Sequence, residues 1–530
     1  MKHKTWSVSS VSNLLVVVAI VVVVNLIGLR LFTRADLTEN HVYTLSRASR
    51  NMVAGLEDRL TVKAYFTKDL PPPYNANSRY VNDALDDYRA YSHGKFVFEF
   101  VDPADEKKLE EEAQRYRVQP VQVNVMEKDN VQLKRVYMGL VLIYGDKHET
   151  IPLVQDVENF EYEMTSAIKR VTAERLPKVG FLGGFGMPDL GQDMRQLTTG
   201  LSKHYQVAPV STAQGNGLID EDVDVLCIVQ PKEALDDWTR FCIDQYIMRG
   251  GKVGWFLNKV KADPQTSMAS GLQLNLDDLT RQYGFVVGNN LVTDLNASMI
   301  NVQQQQGFFM ITNVVRYPAF PRITDINRQM PMVKDLQELT LFYPSSVDTL
   351  RSGRSNVTYT PLFQSSEYTR VQQGRFDINP MTPARKEDFT GGRKLLGVAI
   401  SGDFASAYQG KSVPRPKDST AAMPQLSVME HSPQTRMIVI GDGNFVQGQY
   451  AQGGANMILF LNAVDWLGQD SDLMSIRSRE AAIRPLKPDI GDGTKRTVKY
   501  ANMFGPPVLV LALGLVRWTM RRNRRKGVVV

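Results

Sequence analysis

Two apolar runs, one near each end of a 530-residue chain, constrain the fold before any other feature does. The first, NLLVVVAIVVVVNLIGL (13–29), follows Lys2 and Lys4; the second closes in VLVLALGLVRWTMRRNRRKG (508–527). A helix that crosses the hydrocarbon of a bilayer needs roughly 20 predominantly apolar residues. Residues 11–32 supply that length, with Asn13, Asn25 and Arg30 as the strongly polar members. Residues 501–520 supply it again, with Pro506 and Pro507 expected near the outer end and Arg517 placed to snorkel toward the basic tail. A cleaved signal would need a small-residue A-x-A site, and LRLFTRADLTEN (29–40) has none. Both runs are therefore expected to span. Basic flanks resist translocation, so 1–10 and the tail 521–530 are expected in the cytoplasm and the long middle outside it.

The net charge of +6 and pI near 9.0 invite a nucleic-acid partner, but position decides otherwise. Lys2, Lys4, Arg517, Arg521, Arg522, Arg524, Arg525 and Lys526 sit at the two ends; setting them aside leaves 54 basic residues against 56 acidic. A nearly neutral middle argues against nucleic-acid binding. Cys227, in the strand-like DVLCIV, and Cys242, in the helix-like DWTRFCIDQYI, lack a C-x-x-C pattern and are expected as two buried thiols.

The middle reads as two α/β units. In the first, 33–176, Ser46 is placed to cap a helix over SRASRNMVAGL. The pattern then runs strand LTVKAYF, helix SRYVNDALDDYRAYS, strand KFVFEFV, helix ADEKKLEEEAQRY, strands VQVNVME, RVYMGLVLIYG and HETIPLV, and helix ENFEYEMTSAIKRVTAE. This order resembles the thioredoxin fold, with Pro120 in the position of its cis-proline. That fold's redox cysteines would fall in TKDLPPPYN (67–75), which contains none, so disulfide chemistry is not supported.

The second unit, 177–475, alternates KVGFLGG, DVLCIVQ, GKVGWFL and RMIVIGD with helical segments such as EALDDWTRFCIDQYIMRGG and ANMILFLNAVDWLGQ. That alternation predicts a doubly wound, mostly parallel sheet. Residues 291–393, rich in Gln, Pro, Ser and Arg, are expected as loops or an inserted subdomain, and 476–500 as a linker to the second span.

Several blocks in fixed order give a more specific likeness: ADLTENHVYTLS, PKVGFLGGFGMPD, DVLCIVQPKEALDDWTRFCIDQYIMRGGKV, YPAFPRI, TPLFQSSEYT, GDGNFV and NMILFLNAVDWLGQDSDLMSIRSRE. Together they resemble the GldG-type auxiliary components of ABC transporters, associated with gliding motility. The resemblance implies a central module shared with intraflagellar-transport proteins and related in fold to glutamine-amidotransferase-like domains. It further implies an extracytoplasmic accessory subunit in the bacterial inner membrane, with a periplasmic bulk, working beside an ABC permease and an ABC ATPase. One departure is local. Relatives often carry a His in a G-H-G-E stretch where this chain has Gly184, Phe185, Gly186 and Met187, so no role of that His transfers.

Chemistry-bearing patterns are few. No G-x-x-x-x-G-K-[ST] phosphate loop occurs, so ATP hydrolysis would fall to a partner. The six histidines, at 3, 41, 93, 148, 204 and 431, show no metal-ligand spacing, and neither a metal nor a cofactor is expected. The paired acids Asp86–Asp87, Asp236–Asp237 and Asp277–Asp278 fit helix starts and solvated faces. Two turns remain as candidate ligand- or partner-binding positions: Gly184 and Phe185 in GFLGGFG, whose amides follow a strand, and Asp442 and Asn444 in GDGNF, at the carboxyl end of another. No catalytic constellation assembles from these residues, so the chain is expected not to be an enzyme. The alternatives are an extracytoplasmic enzyme acting on envelope glycan or peptide, and an envelope scaffold without cargo.

Overall fold

The computed structural model describes Val16, residues 44–468 apart from short stretches at 73, 128–129, 155–156, 158, 213–217, 307–308, 335, 352–355, 416–425, 449 and 451–453, and residues 492–526. The expected span 11–32 lies outside the described residues except for Val16, and 476–491 lies outside them altogether. The chain is mixed α/β and divides into two units, Met1–Ala481 and Ala482–Val530.

The larger unit opens with α1 (Arg47–Ala54), capped as expected by Ser46, whose hydroxyl accepts from the Ser49 amide at 3.0 Å. There follow β1 (Leu60–Phe66), α2 (Tyr74–Tyr91), β2 (Phe96–Val101), α3 (Lys107–Arg115), β3 (Val121–Glu127), β4 (Asn130–Val136), β5 (Met138–Tyr144), β6 (Lys147–Ile151) and α4 (Phe160–Thr172). The sheet order is β2-β1-β5-β6, with β1 parallel to β2 and the other pairs antiparallel. Alternation along β1 places Leu60, Val62, Ala64 and Phe66 against α1, α2 and α4, and Tyr65 on the opposite face with Ala113 of α3.

The single strand expected over RVYMGLVLIYG is two. Tyr137 leaves the ladder, its amide donating to Thr67 Oγ1 at 3.0 Å while its carbonyl accepts from Thr67 N at 3.1 Å. Among the described strands β3 and β4 consequently pair only with each other, as a separate hairpin. Pro120 precedes that hairpin and not a strand of the four-stranded sheet.

The second half contains β7 (Lys178–Leu182), α5 (Arg195–Leu201), β8 (Gln206–Val210), β9 (Val223–Val229), α6 (Asp237–Met248), β10 (Lys252–Phe256) and α7 (Asp277–Gln282). Next come a long hairpin of β11 (Ala297–Gln306) and β12 (Phe309–Ile323), then β13 (Asp325–Ile326), β14 (Thr358–Gln364), β15 (Leu395–Gly402), β16 (Thr435–Ile440) and α8 (Gly454–Leu467). Eight strands form one sheet in the order β13-β14-β15-β16-β10-β9-β7-β8. The five from β16 to β8 are mutually parallel; β13, β14 and β15 run antiparallel along one side.

Strict alternation divides the parallel strands between two cores. Val179, Phe181, Val225, Cys227, Ile438 and Ile440 face α5 and α8, while Leu226, Ile228, Val253, Trp255, Met437 and Val439 face α6 and α7. Each fully buried side chain of this size contributes roughly 1.5–3 kcal/mol of transfer free energy, so a register slip of one residue in any central strand is prohibited. Residues 291–393, expected as loops or an inserted subdomain, mix loop with strand: they supply β11 to β14 and several shorter pairs. Their Gln, Thr and Asn residues alternate on half-exposed ribbons and carry too little apolar periodicity to be read as strands from sequence.

The smaller unit is described as one helix, α9 (Asp492–Lys526), which includes 492–500 of the expected linker. Over Gly493–Met520 it is long and apolar enough to cross a membrane, with nothing of that window buried. Pro506 and Pro507 lie inside it, because the helix continues N-terminal of the expected run to Asp492. Lacking N–H groups, they release the carbonyls of Asn502 and Met503 from helical bonding, while their fixed φ continues the helix.

Candidate functional site

The carboxyl edge of the parallel sheet gathers both candidate turns. β7 ends at Leu182 and the chain turns through Gly184 (φ +85°), Phe185 (φ +54°) and Gly186 (φ +68°). Three consecutive residues in the left-handed region require glycine at most positions, and here only Phe185 bears a side chain. The amides that flank the turn are engaged within the fold: Gly183 N donates to Val210 O at 2.9 Å and Met187 N to Gly184 O at 3.0 Å. Phe185 O accepts from Lys232 N at 2.9 Å and Glu233 N at 3.0 Å, which ties the turn to the loop after β9. Its ring packs, partly buried, against the α6 core.

β16 ends at Ile440. Gly441 N donates to Leu396 O at 2.9 Å, and Gly441 O accepts from Ser345 N at 2.7 Å. A Cβ at Gly441 would stand 1.9 Å from Ser345 O, so backbone is packed directly on backbone. Asp442 is wholly buried; Oδ2 accepts from Phe342 N and Oδ1 from Asn444 N, both at 2.7 Å. Burial pushes its carboxyl up to about 7, against the lowering effect of these amides. Asn444 Nδ2 donates to Phe342 O at 2.8 Å, and its Oδ1 accepts from Gln230 Nε2. Gln230 Oε1 accepts in turn from Gln447 Nε2, and Gly443 N donates to Asn258 Oδ1 at 3.3 Å.

Asp442 and Asn444 are thus joined in one network, and Gly184 and Phe185 reach it through the loop that begins at Gln230. Segment 342–345 lies across the edge and takes up its donors and acceptors. Gln230 (φ +42°) and Tyr343 (φ +55°) adopt the left-handed region without being glycine, which marks the edge as tightly determined. Gln230, Asn258, Phe342, Ser345 and Gln447 are members not singled out from sequence. Gln230 had a usable signal, as the first polar residue after the apolar run of β9; Phe342 lies 100 residues from Asp442 and had none. Two surface grooves lie elsewhere. One of about 640 Å³ is lined by Asp237, Arg240, Asp278, Tyr408 and Lys411, and one of about 400 Å³ by Asp224, Tyr246, Arg249 and Lys252.

Cys227 and Cys242 are both buried thiols outside any disulfide, on opposite faces of the sheet. Burial alone raises the Cys227 thiol far above its usual value and, with the Asp236 charge adding to it, brings Cys242 up to about 12. Neither is a thiolate nucleophile at neutral pH. Among the described residues no group of three or more His, Cys, Asp or Glu is placed to hold a metal ion.

Residues 176–471, more than half of the chain and the whole of the eight-stranded sheet, match the family described as an ABC-type uncharacterized transport system. The chain belongs to this ABC-transport auxiliary family. Residues 39–143 match a domain of unknown function. A relative of this auxiliary protein, an uncharacterized protein of Borreliella burgdorferi, is 22% identical over 511 residues, covering 92% of this chain and 94% of its own. A solved structure, the mmIFT52 N-terminal domain, is 12% identical with a TM-score of 0.33, over 55% of this chain and 96% of that one. Family membership gives the chain an accessory role in a transport system, and α9 supplies a candidate membrane helix for it.

Proposed function

We propose that this chain is a membrane-anchored, extracytoplasmic accessory subunit of a GldG-type ABC transporter, non-catalytic itself and working beside a separate permease and ATPase. The observation that carries the proposal is the family match over 176–471 in a chain that ends in a long, exposed apolar helix with a basic close. The arginines after Val516 favour a cytoplasmic C-terminus, and Lys2 and Lys4 favour the same side for the N-terminus. The large unit then stands on the periplasmic face of the inner membrane.

The β2-β1-β5-β6 order, with only β1 and β2 parallel, supports a thioredoxin-like first domain with the β3–β4 hairpin inserted. Helices on both faces of five parallel strands support an amidotransferase-like second one. Its carboxyl edge holds Asp442 in a buried network, and its cysteine lies in mid-strand with a protonated thiol. These features favour holding a partner or substrate over covalent chemistry.

Purification of the tagged full-length protein in mild detergent from its host tests the proposal. An ABC permease and ATPase are expected in fixed proportion, with ATP hydrolysis altered when the subunit is omitted. Recovery of envelope proteins alone, or an ATPase indifferent to the subunit, overturns it in favour of a scaffold.

A further inference from the structure

β11 and β12 form a ribbon paired from Met299 opposite Arg316 to Gln306 opposite Phe309. Residues 295–315 contain no Asp, Glu, Lys or Arg. One face carries the cross-strand pairs Met299 with Arg316, Asn301 with Val314, Gln303 with Thr312, and Gln305 with Met310. All eight residues are exposed, Met299, Val314 and Met310 to 57%, 61% and 64%. Among the described strands none pairs with the outer edge of β11, and β12 gains a second partner only at Arg322 and Ile323.

Such a ribbon is unusual in two respects. An isolated two-stranded pair is marginal in water. Free edges are ordinarily guarded by charge, proline or a bulge, because a row of unpaired amides and carbonyls accepts any passing strand. Here the guards stand only at the base: a bulge between Ala297 and Met299, and Pro318 and Pro321 in β12. The outer part is uncharged, extended and partly apolar.

We propose that the β11 edge is a self-association surface, on which the same edge of a second copy of this chain adds antiparallel about a two-fold axis. The absence of charge selects that occupant. Beyond Arg316 at the base, an ionic partner would find no charge along residues 295–315, whereas Asn301 and Gln303 each carry a donor and an acceptor and are complementary to their own kind across a two-fold. β11 is the edge used because among the described strands none pairs with its outer side, whereas β12 is paired at Arg322 and Ile323. An edge contact of this kind buries less than the roughly 800 Å² per partner typical of stable complexes, so the dimer is concentration-dependent.

Sedimentation of the purified full-length chain in detergent, over a concentration series, tests this. A monomer–dimer equilibrium is expected. Asn301→Lys with Gln303→Lys would set like charges against each other across the axis and weaken the dimer about tenfold or more. Gln303→Asn, which keeps the amide, should leave it intact, and the melting curve of the lysine variant should match the wild type because both positions are exposed. Since Cys227 and Cys242 are buried, Asn301→Cys and Gln303→Cys add the reactive thiol, and oxidation should link two copies at one of these positions. A chain that stays monomeric throughout, a dimer indifferent to the lysines, or cross-links only to a different protein would each overturn the proposal.

Discussion

Asp442 sits under two opposing demands. Its oxygens accept from Phe342 N and Asn444 N, which favours the carboxylate, while complete burial favours the neutral acid, and burial wins. The folded value of about 7 lies above the ordinary 3.8, so this group's contribution to stability is complete below about pH 4 and is lost as pH rises through 7. The loss approaches about 1.4 kcal/mol per pH unit between those limits. Asp442→Asn is neutral throughout and should flatten the dependence of melting temperature on pH between 4 and 7; an unchanged slope would mean that Asp442 is ionised across that range. Glycines at the same edge separate sterics from conformation. Gly441→Ala drives a methyl into Ser345 O and should cost about 3 kcal/mol or more by denaturant titration. Gly184→Ala meets no atom within 4 Å, so only its φ of +85° opposes it, at about 1–2 kcal/mol. Sequence gave access to Asp442 and Gly184 because an apolar strand followed by a Gly-rich polar turn marks a sheet edge. It gave no access to segment 342–345, because a contact across 100 residues leaves no local pattern.

Among the elements, those with a strong period were legible, and those held by side-chain-to-backbone bonds were not. α6 follows its pattern: Asp236 accepts from Thr239 N at 2.7 Å as N-cap, and Gly250 (φ +89°) closes the end. The same helix carries Asp244 among Ile243 and Ile247, with a role that no pattern reveals. Its Oδ1 accepts from Tyr283 Oη at 2.7 Å and Ala407 N at 2.8 Å, and its Oδ2 from Ser406 Oγ at 2.7 Å and Gln245 Nε2 at 2.9 Å. One buried carboxylate therefore fixes α7 and segment 404–408 to α6. Asp244→Ala leaves Tyr283 Oη, Ser406 Oγ and Ala407 N without this acceptor and Gln245 Nε2 with only Met429 O, and should destabilise by about 3–5 kcal/mol, with hydrogen exchange at the Ala407 amide accelerating more than at β9. Equal acceleration at both would show that the carboxylate supports the sheet generally and does not pin that segment. The break at Tyr137 is of the same kind: an unbroken apolar run cannot disclose that Thr67 removes one residue from the ladder.

For the whole molecule the decisive quantity is length. A helix of 35 residues extends roughly 52 Å, against a hydrocarbon thickness of about 30 Å, so α9 must project from the bilayer at one or both ends. Arg521, Arg522, Arg524 and Arg525 define one projecting end and Lys495, Arg496 and Lys499 the other. In a bilayer-spanning α9 the prolines would lie near the latter end, with the freed carbonyls of Asn502 and Met503 close to the interface, where water can satisfy them in either orientation. The proposed orientation rests on the arginine block as the stronger retention signal, which favours a cytoplasmic C-terminus. Thiol labelling reads this directly, because the native Cys227 and Cys242 are buried and protonated and remain silent in the folded chain. Met429→Cys, at a side chain 42% exposed, should react with a membrane-impermeant maleimide added to intact spheroplasts. Asn523→Cys should react only after the membrane is opened. The opposite pattern would place the large unit in the cytoplasm and turn the proposed periplasmic accessory into an internal one, with the same family membership and a different set of partners within reach.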